Sequence, residues 1–111
     1  MIETIIIEHL KSVLDVDVFM ERPEHPPASY VIIEKTGGVK NNNISASTFA
    51  FQSYAPKLYD AASLNETVKE AVESLMDLDE IGRVSLNSDY NFTDTVTKQY
   101  RYQAIFVITH Y

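Results

Sequence analysis

The chain has 111 residues and no cysteine, which fits one domain and excludes disulfides and thiolate metal sites. Its hydrophobic fraction of 45% and charged fraction of 23% are typical of a soluble globular protein, so global disorder is not expected. Sixteen acidic and nine basic residues give a formal net charge of −7, and no cluster of Lys and Arg is present to bind the phosphates of duplex DNA.

The first half of the chain predicts one helix and three strands. Apolar residues recur at helical spacing from Ile2 to Leu14 and form a wide apolar face, typical of a helix packed on a core. Alternation from Val16 to Met20 predicts a short strand, which the following prolines end. Ser29 to Thr36 and Ile44 to Tyr54 predict the second and third strands. Between them, Gly37 to Asn43 is rich in turn-favouring residues and predicts a long hairpin loop.

A second helix is predicted from Pro56 to Met76, where an apolar stripe continues without a break. Pro56 suits the first turn of a helix because the amide hydrogen that it lacks would have no partner there. Ser63 and Glu66 also fit a capping box, which leaves open a helix that begins at Leu64. The helix-forming residues on both sides of Ser63 favour the single longer helix.

The last third of the chain predicts two strands. Arg83 to Leu86 predicts the fourth strand, and Asn87 to Asn91 is a turn-rich segment. Phe92 to Val96 then leads into a long final strand from Lys98 to Tyr111. Residues Ala104 to Ile108 are apolar on both faces of that strand, as in a strand inside a sheet.

Together these elements predict an α+β fold in the order α-β-β-β-α-β-β. Two main helices are expected to pack on a mixed, mainly antiparallel sheet of four to five strands. We expect a single domain over residues 1–111, with the final strand as the centre of its core.

No motif for catalysis, metal binding or a cofactor is present in the sequence. The three histidines, His9, His25 and His110, lack the i+2 to i+4 pairing of metal motifs. Gly37-Gly38 is not followed by the lysine and hydroxyl residue of a P-loop, and no Gly-x-Ser-x-Gly seats a nucleophilic serine. We therefore expect no enzymatic activity and no cofactor, and a hydrogen-bonded or half-exposed role for His9.

Four segments nevertheless resemble one family, the tail terminators or tail-completion (head–tail joining) proteins of siphophages and prophages of Gram-positive bacteria. The segments are Tyr30–Gly38, Tyr54–Pro56 with the helix after it, Asp89–Asp94 and Tyr100–Phe106. The predicted order of helices and strands is similar as well. The resemblance covers nearly the whole chain and contains no chemical motif.

The resemblance implies a structural protein of phage morphogenesis. Such proteins form a ring, usually hexameric, that caps the tail tube, stops its growth and joins it to the head. The implied partners are further copies of this chain, the tail tube protein and a head–tail connector protein, while DNA passes without specific binding. The acidic balance is compatible with a channel along which DNA slides. The implied location is the head-proximal end of the virion tail, after assembly in the cytoplasm of the bacterial host.

Two groups of residues are candidate contacts with a neighbouring subunit or the tube. Gly37, Gly38 and the segment Lys40, Asn41, Asn42 and Asn43 are expected to form a flexible loop that orders on meeting the tube or the head. Tyr100, Arg101 and Tyr102 lie in an amphipathic first half of the final strand, which is expected to project beyond the sheet.

Two alternatives stay open. Within the same class, the chain is another component of the head–tail connector. In a different class, it is a small monomeric or dimeric module that binds a ligand or peptide on its sheet. No membrane contact is expected, because the longest apolar runs have only four or five residues. The N-terminus also lacks the basic start and long apolar core of a secretion signal.

Overall fold

The structure, a computed structural model that describes every residue from Met1 to Tyr111, has two helices on one five-stranded sheet. This architecture confirms the α+β fold and the predicted order of elements. The elements are α1 (Ile2–Val13), β1 (Asp17–Phe19), β2 (Tyr30–Asn41), β3 (Ile44–Ala55), α2 (Leu58–Glu73), β4 (Ile81–Asn91) and β5 (Tyr100–His110). A short 3-10 helix (Ser74–Asp77) extends α2.

Both predicted helices are present, and both pack through their apolar stripes. In α1 the residues Ile2, Ile6 and Leu10 are buried, one turn apart. The second helix begins at Leu58, so the alternative start at Leu64 is wrong. Pro56 lies just before the N-cap residue Lys57 rather than inside the first turn.

The strands lie in the order β1-β2-β3-β5-β4. β1 runs parallel to β2, and every other pair is antiparallel. β5 lies between β3 and β4, which confirms it as an inner strand, and Ala104, Phe106 and Ile108 are fully buried on its helix side. The strand therefore joins the core on one face and leaves Arg101 and Gln103 on the face without helices.

The main core lies between the sheet and the two helices. Three phenylalanines from β3 and β5 form its centre, and the ring centroids of Phe51 and Phe106 are 5.7 Å apart in an edge-to-face arrangement. Edge-to-face contacts suit the quadrupoles of aromatic rings. His9 Nε2 lies 2.7 Å from Ser74 Oγ and joins α1 to the end of α2. Because the Ser74 hydroxyl donates to a backbone oxygen, the imidazole is the donor, which confirms a hydrogen-bonded role for His9.

The predicted long loop from Gly37 to Asn43 is wrong. β2 continues through both glycines to Asn41, and only Asn42 and Asn43 form the turn. Their φ angles are 52° and 66°, as in the type I′ turn that suits a two-residue hairpin. Neither Gly37 nor Gly38 has a positive φ, so their flexibility is not what turns the chain.

The predicted turn at Asn87–Asn91 is also wrong, because β4 extends to Asn91 by pairing with β5. Phe92 to Val96 does not lead straight into the last strand. Asp94 Oδ1 instead accepts bonds from the amides of Val96 and Thr97 at 3.0 and 3.3 Å and turns the chain. β5 begins at Tyr100, and all of its residues pair with β3, so its first half does not project beyond the sheet.

Candidate functional site

The two groups of predicted contact residues lie at opposite ends of the sheet. Tyr100 pairs with Ala55 at one end of β3, whereas Asn41 pairs with Ile44 at the other. In the group formed by Tyr100, Arg101 and Tyr102, the two tyrosines lie on the helix side of β5 and Arg101 lies on the opposite face. The structure thus separates these residues into an Arg101 site at one end and a hairpin tip at the other.

Arg101 belongs to a row of four side chains that crosses the helix-free face. Strand pairing places Tyr30, Tyr54 and Arg101 side by side, and Phe92 follows on the next chain segment. The rings of Tyr30 and Tyr54 stack with centroids 4.6 Å apart. Arg101 Nη1 donates to the Tyr54 hydroxyl at 3.0 Å, and Nε donates to the Phe92 carbonyl at 2.6 Å. We call these four residues the Arg101 row.

A second row lies beside it and is formed by Ile32, Gln52, Gln103 and Tyr90. Gln52 Nε2 donates to Gln103 Oε1 at 2.7 Å, and Gln103 Nε2 donates to the Tyr90 hydroxyl at 2.5 Å. The Tyr54 hydroxyl donates to Gln52 Oε1 at 3.2 Å and so connects the rows. Hydrogen bonds therefore run unbroken from Arg101 to Tyr90, and each buried amide in this glutamine row has a partner.

One end of the Arg101 row is covered and the other is open. Burial raises the pKa of Tyr30, an effect that the nearby Arg22 guanidinium partly offsets. With its amide oriented to accept, Gln99 Oε1 lies 2.5 and 2.8 Å from two Nη atoms of Arg22, which ties the β1–β2 loop to the start of β5. At the β4 end, Phe92 and Tyr90 are 40% and 41% exposed and pack edge to face. This end is an aromatic surface that suits contact with another protein.

The polar side chains of the two rows are paired with one another. Arg101, the two glutamines and the hydroxyls of Tyr54 and Tyr90 all take part in these hydrogen bonds. No carboxylate or histidine belongs to either row to act as a general base. Nowhere in the chain do three or more His, Asp or Glu side chains come together as a metal site would require.

At the opposite end, the hairpin borders an open cleft of about 540 Å³ on the helix side of the sheet. Lys35 and Lys40 line the cleft, together with Ser47 and His110. His110 Nε2 lies 2.9 Å from Ser47 Oγ. Burial lowers the pKa of His110, the charge of Lys35 lowers it further, and Glu3 opposes both. The imidazole is therefore neutral at neutral pH, and the cleft takes its positive charge from the two lysines.

Arg101 was predicted as a contact residue, but Tyr30, Tyr54 and Phe92 beside it were not, and its observed bonds are within the chain. The alternation of β3 places Gln52 and Tyr54 on the face opposite to Phe51, and this pattern is visible in the sequence. The rows, however, depend on which strands are neighbours and in which register. Those are long-range properties that the period of each strand does not contain.

No family model matches the chain, and no curated protein matches it at a significant level. No helix of the structure is long and apolar enough to cross a membrane.

Proposed function

We propose that this chain is the subunit of a ring that ends the tail tube of a siphophage and joins it to the head, as a structural protein without catalytic activity. The resemblance of its four segments to that family is the source of the proposal. The α+β order of elements is compatible with it. The net charge of −7 is compatible as well, because a subunit that lines a DNA channel should not bind the phosphates. Another head–tail connector role belongs to the same class.

The observation that carries the proposal is the exposed arm formed by β2 and β3. Every residue from Glu34 to Ile44 is exposed, although all of them except Thr36 and the turn residues Asn42 and Asn43 are paired in the β2–β3 hairpin. At its tip, Val39 is 75% exposed and Ile44 is 42% exposed. A rigid arm that presents apolar side chains suits docking to a tube or head protein, because little conformational entropy is lost when it binds.

The size of the protein in solution tests the ring. We expect light scattering of the isolated protein to give a mass near that of six subunits of 12.6 kDa. If the ring assembles only on the tail, negative stain should show rings at the ends of tubes of the tail tube protein. A chain that stays monomeric at high concentration, with and without tubes, contradicts the proposal. That outcome favours the monomeric binding module.

The arm is tested by Ile44→Asp, with Asn42→Gly as the matched control at the same tip. Both positions are exposed, so both variants are expected to fold and to form rings of wild-type mass. Supplied to a phage that lacks its own copy, Ile44→Asp is expected to leave tails unjoined, because a charge replaces an apolar contact. The Asn42→Gly variant is expected to restore infectious particles. Equal particle yields from the two variants would remove the arm from the proposal.

A further inference from the structure

The sheet has two free edges, one on each side of the molecule. β1 pairs with the outer side of β2 only along Tyr30–Ile32. On that outer side, Ile33 to Asn41 has no neighbouring strand. β4 is the last strand on the other side and has no outer neighbour. Unpaired backbone N–H and C=O groups on such edges favour pairing with another strand.

The directions of the strands allow one copy to continue the sheet of the next. β2, β3, β5 and β4 alternate in direction, so β4 runs opposite to β2. When the β4 edge of one copy lies beside the β2 edge of the next, the new pair is antiparallel like its neighbours. This contact joins two different surfaces, and a contact of that kind closes a ring when the rotation between neighbouring copies divides a full turn evenly.

The two edges carry opposite charges at the same level of the sheet. Strand pairing places Lys40, Ser45, His110 and Ile81 in one row from the β2 edge to the β4 edge. On the helix side of the β2 edge are Lys35 and Lys40. On the other edge, the segment Asp77–Glu80 runs from the last residue of the 3-10 helix to the start of β4 and exposes Asp77, Asp79 and Glu80; we call it the acidic loop.

These charges have no partners within the chain. The intrachain ion pairs are those of Lys69 with Glu66 and Asp89, and they include neither the two lysines nor the acidic residues before Ile81. Arg83 also lies on β4, but its pairing with Thr109 places it on the helix-free face, away from the lysines. A two-fold contact of β2 with β2 would instead bring lysines beside lysines, which is unfavourable.

We infer that the β2 edge of one copy receives the β4 edge of the next copy, with the lysine-lined cleft holding the carboxylates of the acidic loop Asp77–Glu80. The inference rests on the proposed ring and names the contact between its subunits. The cleft at Lys35 and Lys40 is open to solvent, so a loop of a second molecule reaches it without rearrangement of the fold.

Cysteine crosslinking tests the geometry cleanly, because the chain has no native cysteine. Val39 and Arg83 are both exposed on the helix-free face. They belong to the same row across the sheet, because Val39 pairs with Ala46, Ala46 with Thr109, and Thr109 with Arg83. A mixture of Val39→Cys and Arg83→Cys chains is expected to give crosslinked dimers with a short bifunctional maleimide. Either variant alone is expected to give none. The double variant is expected to give a ladder that ends at the mass of the ring.

The other crosslinking outcomes separate the two proposals. Val39→Cys chains that crosslink to themselves would show a two-fold edge contact and overturn the inference. Rings that form without the mixed crosslink would overturn the inference and leave the proposed function standing. Absence of rings, with and without tail tubes, would overturn both.

Charge reversal tests the electrostatic part. The pair Lys35→Glu/Lys40→Glu and the pair Asp79→Lys/Glu80→Lys are each expected to weaken self-association at least tenfold, and unfolding temperatures should change little because all four sites are exposed. An equimolar mixture of the two double variants is expected to assemble again, with the variants alternating around a ring of even number. Loss of assembly that the mixture does not restore, or variants that associate as wild type does, would overturn the inference.

Discussion

The guanidinium carbon of Arg101 lies 4.4 Å from the centre of the Phe92 ring, while Nη1 of the same side chain donates to the Tyr54 hydroxyl. One side chain thereby joins β3, β5 and the segment after β4. The planar fork of arginine makes these contacts together, and the single ammonium of lysine does not.

Arg101→Lys is expected to destabilise the fold by about 1–2 kcal/mol, through loss of charge-assisted hydrogen bonds and the ring contact. The change should appear as a lower midpoint in urea unfolding. Arg83→Lys is the matched control, since Arg83 is exposed on the neighbouring strand, and its effect should stay within about 0.5 kcal/mol. Equal midpoints for the two variants would mean that the Arg101 row contributes little to stability.

The spacing of apolar residues along the sequence was sufficient to predict α1 and the inner position of β5. The spacing of Ile2, Ile6 and Leu10 predicted α1, and the two-sided apolar run of Ala104 to Ile108 predicted an inner strand. Ile2, Ile6 and Leu10 are buried, and in the apolar run of β5 only Ile105 and Val107 are partly exposed, so the signal is contained within one element.

The segments that were mispredicted depend on a partner strand. Gly37 to Asn41 has the composition of a turn, yet it pairs with β3 through Ile44 to Thr48. Ser88 to Asn91 pairs in the same way with β5, and only Asn87 lies in a bulge of the strand. Strand pairing between extended neighbours outweighs weak local preferences, because β propensity depends strongly on the surroundings. The Arg101 row was missed for the same reason, since its members come from different strands.

The turn residue Asn43 offers a second prediction. Its φ of 66° is a conformation that asparagine tolerates and alanine does not. Asn43→Ala is therefore expected to cost about 1 kcal/mol, whereas Asn43→Gly at the same site should not destabilise the protein. Thermal unfolding of the two variants measures the difference. A stability of Asn43→Ala equal to that of wild type would argue against the two-residue turn.

Asp89 is the basis of a third prediction, because it joins α2 to β4. Asp89 Oδ1 accepts from Asn65 Nδ2 at 2.6 Å, and Oδ2 lies 2.5 Å from Lys69 Nζ. The hydrogen bonds that Lys69 donates, first to Asp89 and then to Glu66, raise the pKa of Lys69. Asn65 is almost completely buried, so removing its acceptor leaves a buried donor without a partner.

Asp89→Ala is expected to destabilise the fold by about 1–3 kcal/mol. Glu66→Ala removes only the more exposed partner of Lys69, and its cost should lie below about 1 kcal/mol. Urea unfolding of both variants measures the two costs. Similar costs for the two substitutions would show that the Asn65–Asp89 bond is unimportant.

The pH dependence of stability is expected to include a contribution from His110. Its folded pKa is lowered, first by burial and then by the charge of Lys35, so the folded chain favours the neutral imidazole. The unfolded chain binds a proton near pH 6.5, the ordinary value for histidine. The contribution of His110 is therefore complete above about pH 6.5 and is lost as the pH falls through the lower folded pKa.

Two measurements check this contribution. NMR titration of the imidazole ring should give a His110 pKa below 6.5, and Lys35→Gln should raise it, because a repelling charge is removed. Unfolding experiments at several pH values between about 5 and 7.5 should show a smaller loss of stability for His110→Gln than for wild type. A His110 pKa at or above 6.5, or identical pH profiles for the two proteins, would contradict the prediction.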